Sequence, residues 1–238
     1  MSSEADGHER VSLRGVEVYP FTHADDLIDF ADSRKGILIA INAEKIANAT
    51  AETLRIINSN IPYCDGAGAV MAARQKGAEV EKIAGCELWL HIVRRFHKDR
   101  SFYVIGATPE VNAAAVAKLR EEFPGINIVG ARDGYIRSDE ERRALIDDVA
   151  DKKPDVVFVA MGSPKQEFLM SEMLARHKAI YQGLGGSFDV YTGKVARAPK
   201  WWIDHNLEAA YRLLRQPKRI KRNIVYVKYM WWLLWHRF

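Results

Sequence analysis

The sequence predicts an α/β protein: a doubly wound, largely parallel sheet followed by a basic, helical C-terminal appendage. Short apolar runs such as Gly36–Ile41 and Val156–Met161 are continuous rather than alternating, which marks strands buried on both faces. Between them lie longer stretches with apolar residues at helical spacing, the rhythm of strands joined by crossover helices. The appendage is predicted by charge. Residues 209–238 hold eight Lys or Arg and no Asp or Glu, although the whole chain carries only +4.

Taken in order, residues 1–10 are small, polar and charged, and are expected to be disordered. Leu13–Phe21 alternates loosely and reads as a short strand or hairpin arm. Ala24–Ser33 suggests a helix ending before Lys35-Gly36, and Gly36–Ile41 a buried strand that terminates in Asn42-Ala43-Glu44-Lys45. A helix over about 44–58 and a strand near 61–64 follow, then helices near 66–76 and 86–98 and a strand at 101–106. Next come a helix at 109–122, a strand at 126–130 and a helix at 138–151. Val156–Met161 breaks into Gly162-Ser163-Pro164, and Lys165-Gln166-Glu167 opens a helix, with Pro164 pre-set for a first turn. The last core strand, Ala179–Leu184, ends in Gly185-Gly186, with Asp189 just beyond. Residues 11–200 therefore read as one α/β domain and 201–238 as the appendage.

Composition narrows the function classes. A chain of 238 residues with 48% hydrophobic and 28% charged residues is globular. Cys64 and Cys86 form neither a disulfide framework nor a metal-ligand spacing, which fits a reducing compartment. MSSEADGHER has no apolar core of a signal peptide, and no apolar window is long enough to span a bilayer, so a cytoplasmic location is expected. No HxxxH, HExxH or strand-end Asp-X-Asp is present, and Asp25-Asp26 and Asp147-Asp148 fall in helical stretches. No metal and no cofactor are expected. A dinucleotide fingerprint after the first core strand is also missing, which argues against an NAD enzyme.

The chemistry-bearing residues gather at the carboxyl ends of the predicted strands, where ligands bind on such sheets. Asn42 follows the first core strand, Asp65-Gly66 the second, Gly106 the third and Gly134-Tyr135 the fourth, while Gly162 and Gly185-Gly186 end the last two. Glycines beside helix starts suit a phosphate-bearing ligand, or they are ordinary turns. Lys165, Gln166, Glu167, Asp189 and Arg197 make these turns densely polar. Asp65 is either a turn residue or a carboxylate placed to accept a proton. Gln166 and Glu167 could equally be first-turn helix residues, and Tyr135 could be packing.

In the tail, Arg212, Arg215, Arg219 and Arg222 are spaced three, four and three apart, one stripe on a helix that Pro217 interrupts. Three of the six tryptophans lie within 231–235. Amphipathic rings beside cations suit a headgroup layer, or a terminal helix packs its aromatics on the domain. The aromatics cluster at one end instead of interleaving with the basic residues, which disfavours a nucleic-acid partner.

GSPKQE, GLGGSFDVYTGKVARAPKWW and LEAAYRLLRQPKRIKR resemble the signature segments of the WecG/TagA/CpsF family of bacterial glycosyltransferases. The likeness runs from about Arg14 to about Arg222. AINAEK at 40–45 and AMGSPKQE at 160–167 look similar to the UDP-N-acetyl-D-mannosaminuronic acid transferases of enterobacterial common antigen type. The resemblance implies metal-independent hexosyl transfer with inversion, from a UDP-sugar to undecaprenyl-diphosphate-linked GlcNAc, at the cytoplasmic face of the inner membrane. It makes Asp65, in the family's DG motif, the general base. Asn42, Lys82, Gly106, Tyr135, Gly162, Gln166, Glu167, Gly186 and Asp189 would bind the donor, with Lys82 standing where the family commonly has Arg. Arg212, Arg215, Arg219 and Arg222 would meet the lipid acceptor's diphosphate. Alternatives are a UDP-hexose donor of the glucose type or a non-catalytic, nucleotide-binding membrane adaptor. A homo-oligomer is compatible with the apolar helices.

Overall fold

Val11–Leu13 (β1) and Val16–Val18 (β2) form an antiparallel hairpin closed by Arg14 and Gly15. Both turn residues have positive φ, as a two-residue turn between twisted strands requires. The computed structural model describes residues 9–196, 201–202, 228–235 and 238. Arg197, Arg212, Arg215, Arg219 and Arg222 lie outside the described residues.

After helix α1 (Ala24–Arg34), the chain builds one six-stranded, all-parallel sheet. Its strands are β3 (Gly36–Ile41), β4 (Ile61–Cys64), β5 (Ser101–Gly106), β6 (Asn127–Arg132), β7 (Val156–Ala160) and β8 (Ile180–Gly183). The spatial order is β4-β3-β8-β7-β5-β6. Every residue of β7 is buried, as its unbroken apolar run requires. Helices α2 (Ala43–Ala47), α3 (Ala51–Asn58), α4 (Ala67–Gln75), α5 (Gly85–Phe96), α6 (Pro109–Glu122), α7 (Asp139–Lys152), α8 (Lys165–Arg176) and α9 (Ser187–Tyr191) connect or follow the strands.

Strand alternation sorts the core into two layers. Ile37, Ile39 and Ile41 of β3 and Val157 and Val159 of β7 pack with α3, α4, α7, α8 and the β1–β2 hairpin. Leu38 of β3 and Val156 and Phe158 of β7 pack with α1, α5, α6 and α9. Helices on both faces of a parallel sheet make the fold doubly wound and Rossmann-like.

Two of the differences from the sequence reading have a clear local cause. The single helix expected over 44–58 is two helices, because Thr50 and Thr53 form a reciprocal capping box that starts α3 afresh. Strand β6 continues to Arg132 instead of ending at 130, with a register shift opposite Phe102 and Tyr103.

At the C-terminus, residues 228–234 are helical, and one side of this segment belongs to the core. Tyr229, Trp232 and Leu233 are buried. The Tyr229 hydroxyl donates to Gly68 O at 3.0 Å, and Gln75 Nε2 donates to Leu233 O at 3.0 Å. The Arg14 guanidinium lies 3.9 Å from the centre of a Trp232 ring. Met230, Trp231, Leu234 and Trp235 are exposed on the other side. Packing on the domain thus accounts for half of the aromatic tail and leaves the other half facing outward. Among the described residues no helix is long and apolar enough to cross a membrane.

Candidate active site

The carboxyl edge of the sheet holds the predicted residues in three neighbouring groups. The first lies between β5 and β7, which pair side by side. The helix after β5, α6, packs on one face and the helix after β7, α8, on the other, so the chain leaves in opposite directions and a crevice opens. Gly106 ends β5 at φ +123, where a Cβ would stand 2.3 Å from Ala160 O, so only glycine fits. The loop after β6 is drawn in by Gly134 N donating to Ala107 O at 2.9 Å. Next to it, Tyr135 is 53% exposed. Asn112 of α6 is buried, and its Nδ2 donates to Gly106 O at 3.0 Å and Arg132 O at 2.9 Å. It binds the ends of β5 and β6 together.

The second group joins the loops after β7 and β8. Gln166 is buried in the first turn of α8, and its Oε1 accepts from Gly162 N at 3.1 Å and Gly185 N at 3.0 Å. Its amide oxygen is thereby spent on holding two glycine loops together. Glu167, also buried, accepts at Oε1 from Lys45 Nζ at 2.7 Å, and from Gln166 Nε2 at 3.4 Å. Gly186 is exposed at the start of α9, and Asp189 is half-buried within it.

Asp65 anchors the third group, at the end of β4. Its backbone N donates to Ile41 O at 2.9 Å, and its Oδ1 accepts from Gly85 N at 2.7 Å. Gly85 is the first residue of α5, so the positive end of that helix faces the carboxylate and favours its charge. Beneath Gly85, the Gln182 Nε2 donates to Gly85 O at 3.0 Å. A side chain at position 85 would place Cβ 2.8 Å from the Tyr63 hydroxyl, so glycine is needed for Asp65 to reach this amide. Asn42 caps α2 by accepting from Lys45 N at 3.0 Å, and a Cβ on Gly66 would stand 3.2 Å from its own Cβ. Asn42 and the Asp65 loop are therefore immediate neighbours.

The electrostatics single out Asp65 among its neighbours. Burial, then the Asp65 and Cys86 charges, raise the Tyr63 phenol well above its ordinary range, with the nearby Gln182 amide opposing them only weakly. Burial and then Asp65 push the Cys64 thiol up to about 12. Both groups stay protonated at neutral pH and are neither base nor nucleophile. Lys82 is exposed in the loop before α5. Among the described residues, no group of His, Cys, Asp or Glu side chains is gathered to hold a metal ion.

Lys45, Gly85, Asn112 and Gln182 were not singled out from the sequence. Lys45 stands in AINAEK and Gly85 closes Glu81-Lys82-Ile83-Ala84-Gly85, but their partners are far away in the chain, and local pattern carries no sign of them. What the edge offers chemically is a carboxylate on a helix end, on the same sheet edge as an open crevice flanked by glycine loops. The glycosyl transferase WecG/TagA/CpsF family model matches residues 11–238, which include all three groups, and the chain belongs to that family, which transfers sugars from nucleotide-sugar donors to lipid-linked acceptors in cell-surface polysaccharide synthesis.

Proposed function

We propose that the protein is an inverting transferase that moves N-acetylmannosaminuronic acid from UDP to undecaprenyl-diphosphate-linked GlcNAc. The carrying observation is Asp65, a half-buried carboxylate held by Gly85 N at the carboxyl edge. In a single displacement the acceptor hydroxyl oxygen attacks the anomeric carbon while the bond to UDP breaks. The hydroxyl proton passes to Asp65, and UDP leaves with the electron pair. A weakly basic carboxylate can accept this proton, because the hydroxyl becomes acidic only as the new bond forms.

The donor side is formed by Asn42, Lys82, Gly106, Tyr135, Gly162, Gln166, Glu167, Gly186 and Asp189, with Gln166 acting through the loops that it clamps and Glu167 through its ion pair with Lys45 rather than by contact with the donor. Diphosphate charge is met by helix N-terminal ends and cations rather than by a divalent ion. Arg212, Arg215, Arg219 and Arg222 meet the acceptor's diphosphate. The outward aromatic side of residues 228–235 rests on the membrane at its cytoplasmic face.

A panel of UDP-sugars offered with the lipid-linked acceptor tests this reading. Product from the N-acetylmannosaminuronic acid donor is expected; product from UDP-glucose alone points to a neutral hexose transferase, and no product from any donor to an adaptor. In the same assay EDTA leaves transfer largely intact. Asp65→Asn lowers turnover by roughly 10²–10⁴-fold with UDP binding little changed. Near-native turnover in that variant would return Asp65 to a turn residue.

A further inference from the structure

Of the buried polar groups at the sheet edge, the Lys45–Glu167 ion pair joins residues farthest apart in the chain. The two side chains are 17% and 6% exposed, and Nζ to Oε1 is 2.7 Å. Lys45 lies on α2, after β3, and Glu167 on α8, after β7; β8 runs between these two strands. The pair therefore reaches across the end of an intervening strand.

Each partner is also engaged on its own side. Glu167 follows Gln166, whose Oε1 holds Gly162 N and Gly185 N, so it belongs to the unit that fixes the β7 and β8 loops. The Lys45 backbone N donates to Asn42 Oδ1, so Lys45 belongs to the unit that fixes Asn42. Asn42 packs against Gly66, the residue after Asp65. A continuous path thus runs from the glycine loops through Gln166, Glu167, Lys45 and Asn42 to the Asp65 turn. Helix α2 is only five residues long and has little rigidity of its own. Its placement relative to α8 needs a tie, and this pair provides one.

We infer that Lys45 and Glu167 are positioning residues that set the distance between the donor-holding loops and the base. The inference rests on the proposed role of Asp65. Neither side chain needs to touch substrate. If the tie is lost, both half-sites persist but no longer stand in register. A misplacement of about 1 Å between reacting groups costs on the order of 10²-fold in rate. Binding of UDP alone is largely spared, because, of the donor residues, only Asn42 and Lys82 lie on the Asp65 side of the tie.

Kinetics and calorimetric UDP titration on the full chain separate the outcomes. Lys45→Met is expected to lower kcat by about 10–100-fold, while the UDP dissociation constant shifts less than about threefold and binding stoichiometry stays near that of the wild type. Lys45→Arg, which keeps the ion pair, restores most of kcat. Glu167→Gln shows the same split to a smaller degree, and decides the matter if Lys45→Met does not fold, since the amide keeps a hydrogen bond to Nζ. A loss of stoichiometry in step with kcat means a merely structural pair. UDP affinity falling in step with kcat/KM places the pair on the donor itself. Either result, or an unchanged kcat, overturns the inference. A wild-type enzyme whose Asp65→Asn variant keeps full turnover instead removes the role of Asp65 on which the inference depends.

Discussion

At the scale of single residues, Gly106 and Gly85 do different work with the same missing side chain. At Gly106 the backbone turns through φ +123 against Ala160 O, so both conformation and space exclude a Cβ. Gly106→Ala is expected to destabilise the fold by about 1–3 kcal/mol, the usual scale of local backbone strain, and to weaken UDP binding by deforming the crevice between β5 and β7. Denaturant unfolding and UDP titration of the variant check both effects; native stability with native affinity would show that the edge can relax. At Gly85 the backbone is ordinary, and what matters is access: Asp65 Oδ1 and the Tyr63 hydroxyl crowd the place where a side chain would begin. Asn42, Asp65 and the strand-end glycines were legible as site candidates because residue type and position coincide at strand ends. Gln182 was not. It lies inside an apolar strand, and only the fold brings its amide under Gly85.

At the scale of elements, the two ends of the sheet are built on opposite principles. The amino ends of β5 and β7 are closed by Asp155, whose Oδ2 accepts from Ser101 N and Oγ, each at 2.8 Å. Burial opposes ionisation of Asp155, but these bonds and the Arg100 charge prevail and hold its pKa below 3.8. A depressed pKa in the folded state stabilises the fold fully above the unfolded value of about 3.8, and the benefit fades as pH falls through the lower folded value. The gap in melting temperature between wild type and Asp155→Asn is therefore full above about pH 3.8 and narrows as pH falls below it. A gap that stays constant in a pH series of thermal melts would show that the carboxylate's charge is irrelevant. The order of the sheet strands was legible because most of them are apolar runs between helical stretches; β6, Asn127–Arg132, is partly exposed along its length and was read from its place after a helix. The break between α2 and α3 was hidden, since Thr50 and Thr53 read as ordinary helix residues until their side chains cap each other. The Lys45–Glu167 tie was equally hidden, because it spans 122 positions of sequence.

At the scale of the whole molecule, the terminal helical segment has two unlike sides, and they separate stability from the proposed membrane contact. Leu233→Ala removes a buried side chain and is expected to cost about 2–5 kcal/mol. Replacing Trp231, Leu234 and Trp235 together by Ser touches only the exposed side and should leave melting nearly unchanged, while sedimentation with anionic vesicles falls sharply. On the proposed reading each Lys or Arg near such a surface adds about 1 kcal/mol, and the exposed aromatic side adds an apolar contribution that salt does not screen. Undiminished sedimentation would move the lipid contact elsewhere on the chain. Removing residues 209–238 altogether is the poorer experiment, because it would take Tyr229, Trp232 and Leu233 out of the core. The strand order has a further consequence, for synthesis. Strand β8, the last made, sits at the centre of the sheet between β3 and β7. Until Ile180–Gly183 leaves the ribosome, the sheet exists only as a two-stranded piece, β4-β3, and a three-stranded piece, β7-β5-β6, with no shared edge. Asp65 rides on the first piece and the crevice between β5 and β7 on the second, so a nascent chain brings the two parts of the candidate site together in one step, only once its last sheet strand has emerged.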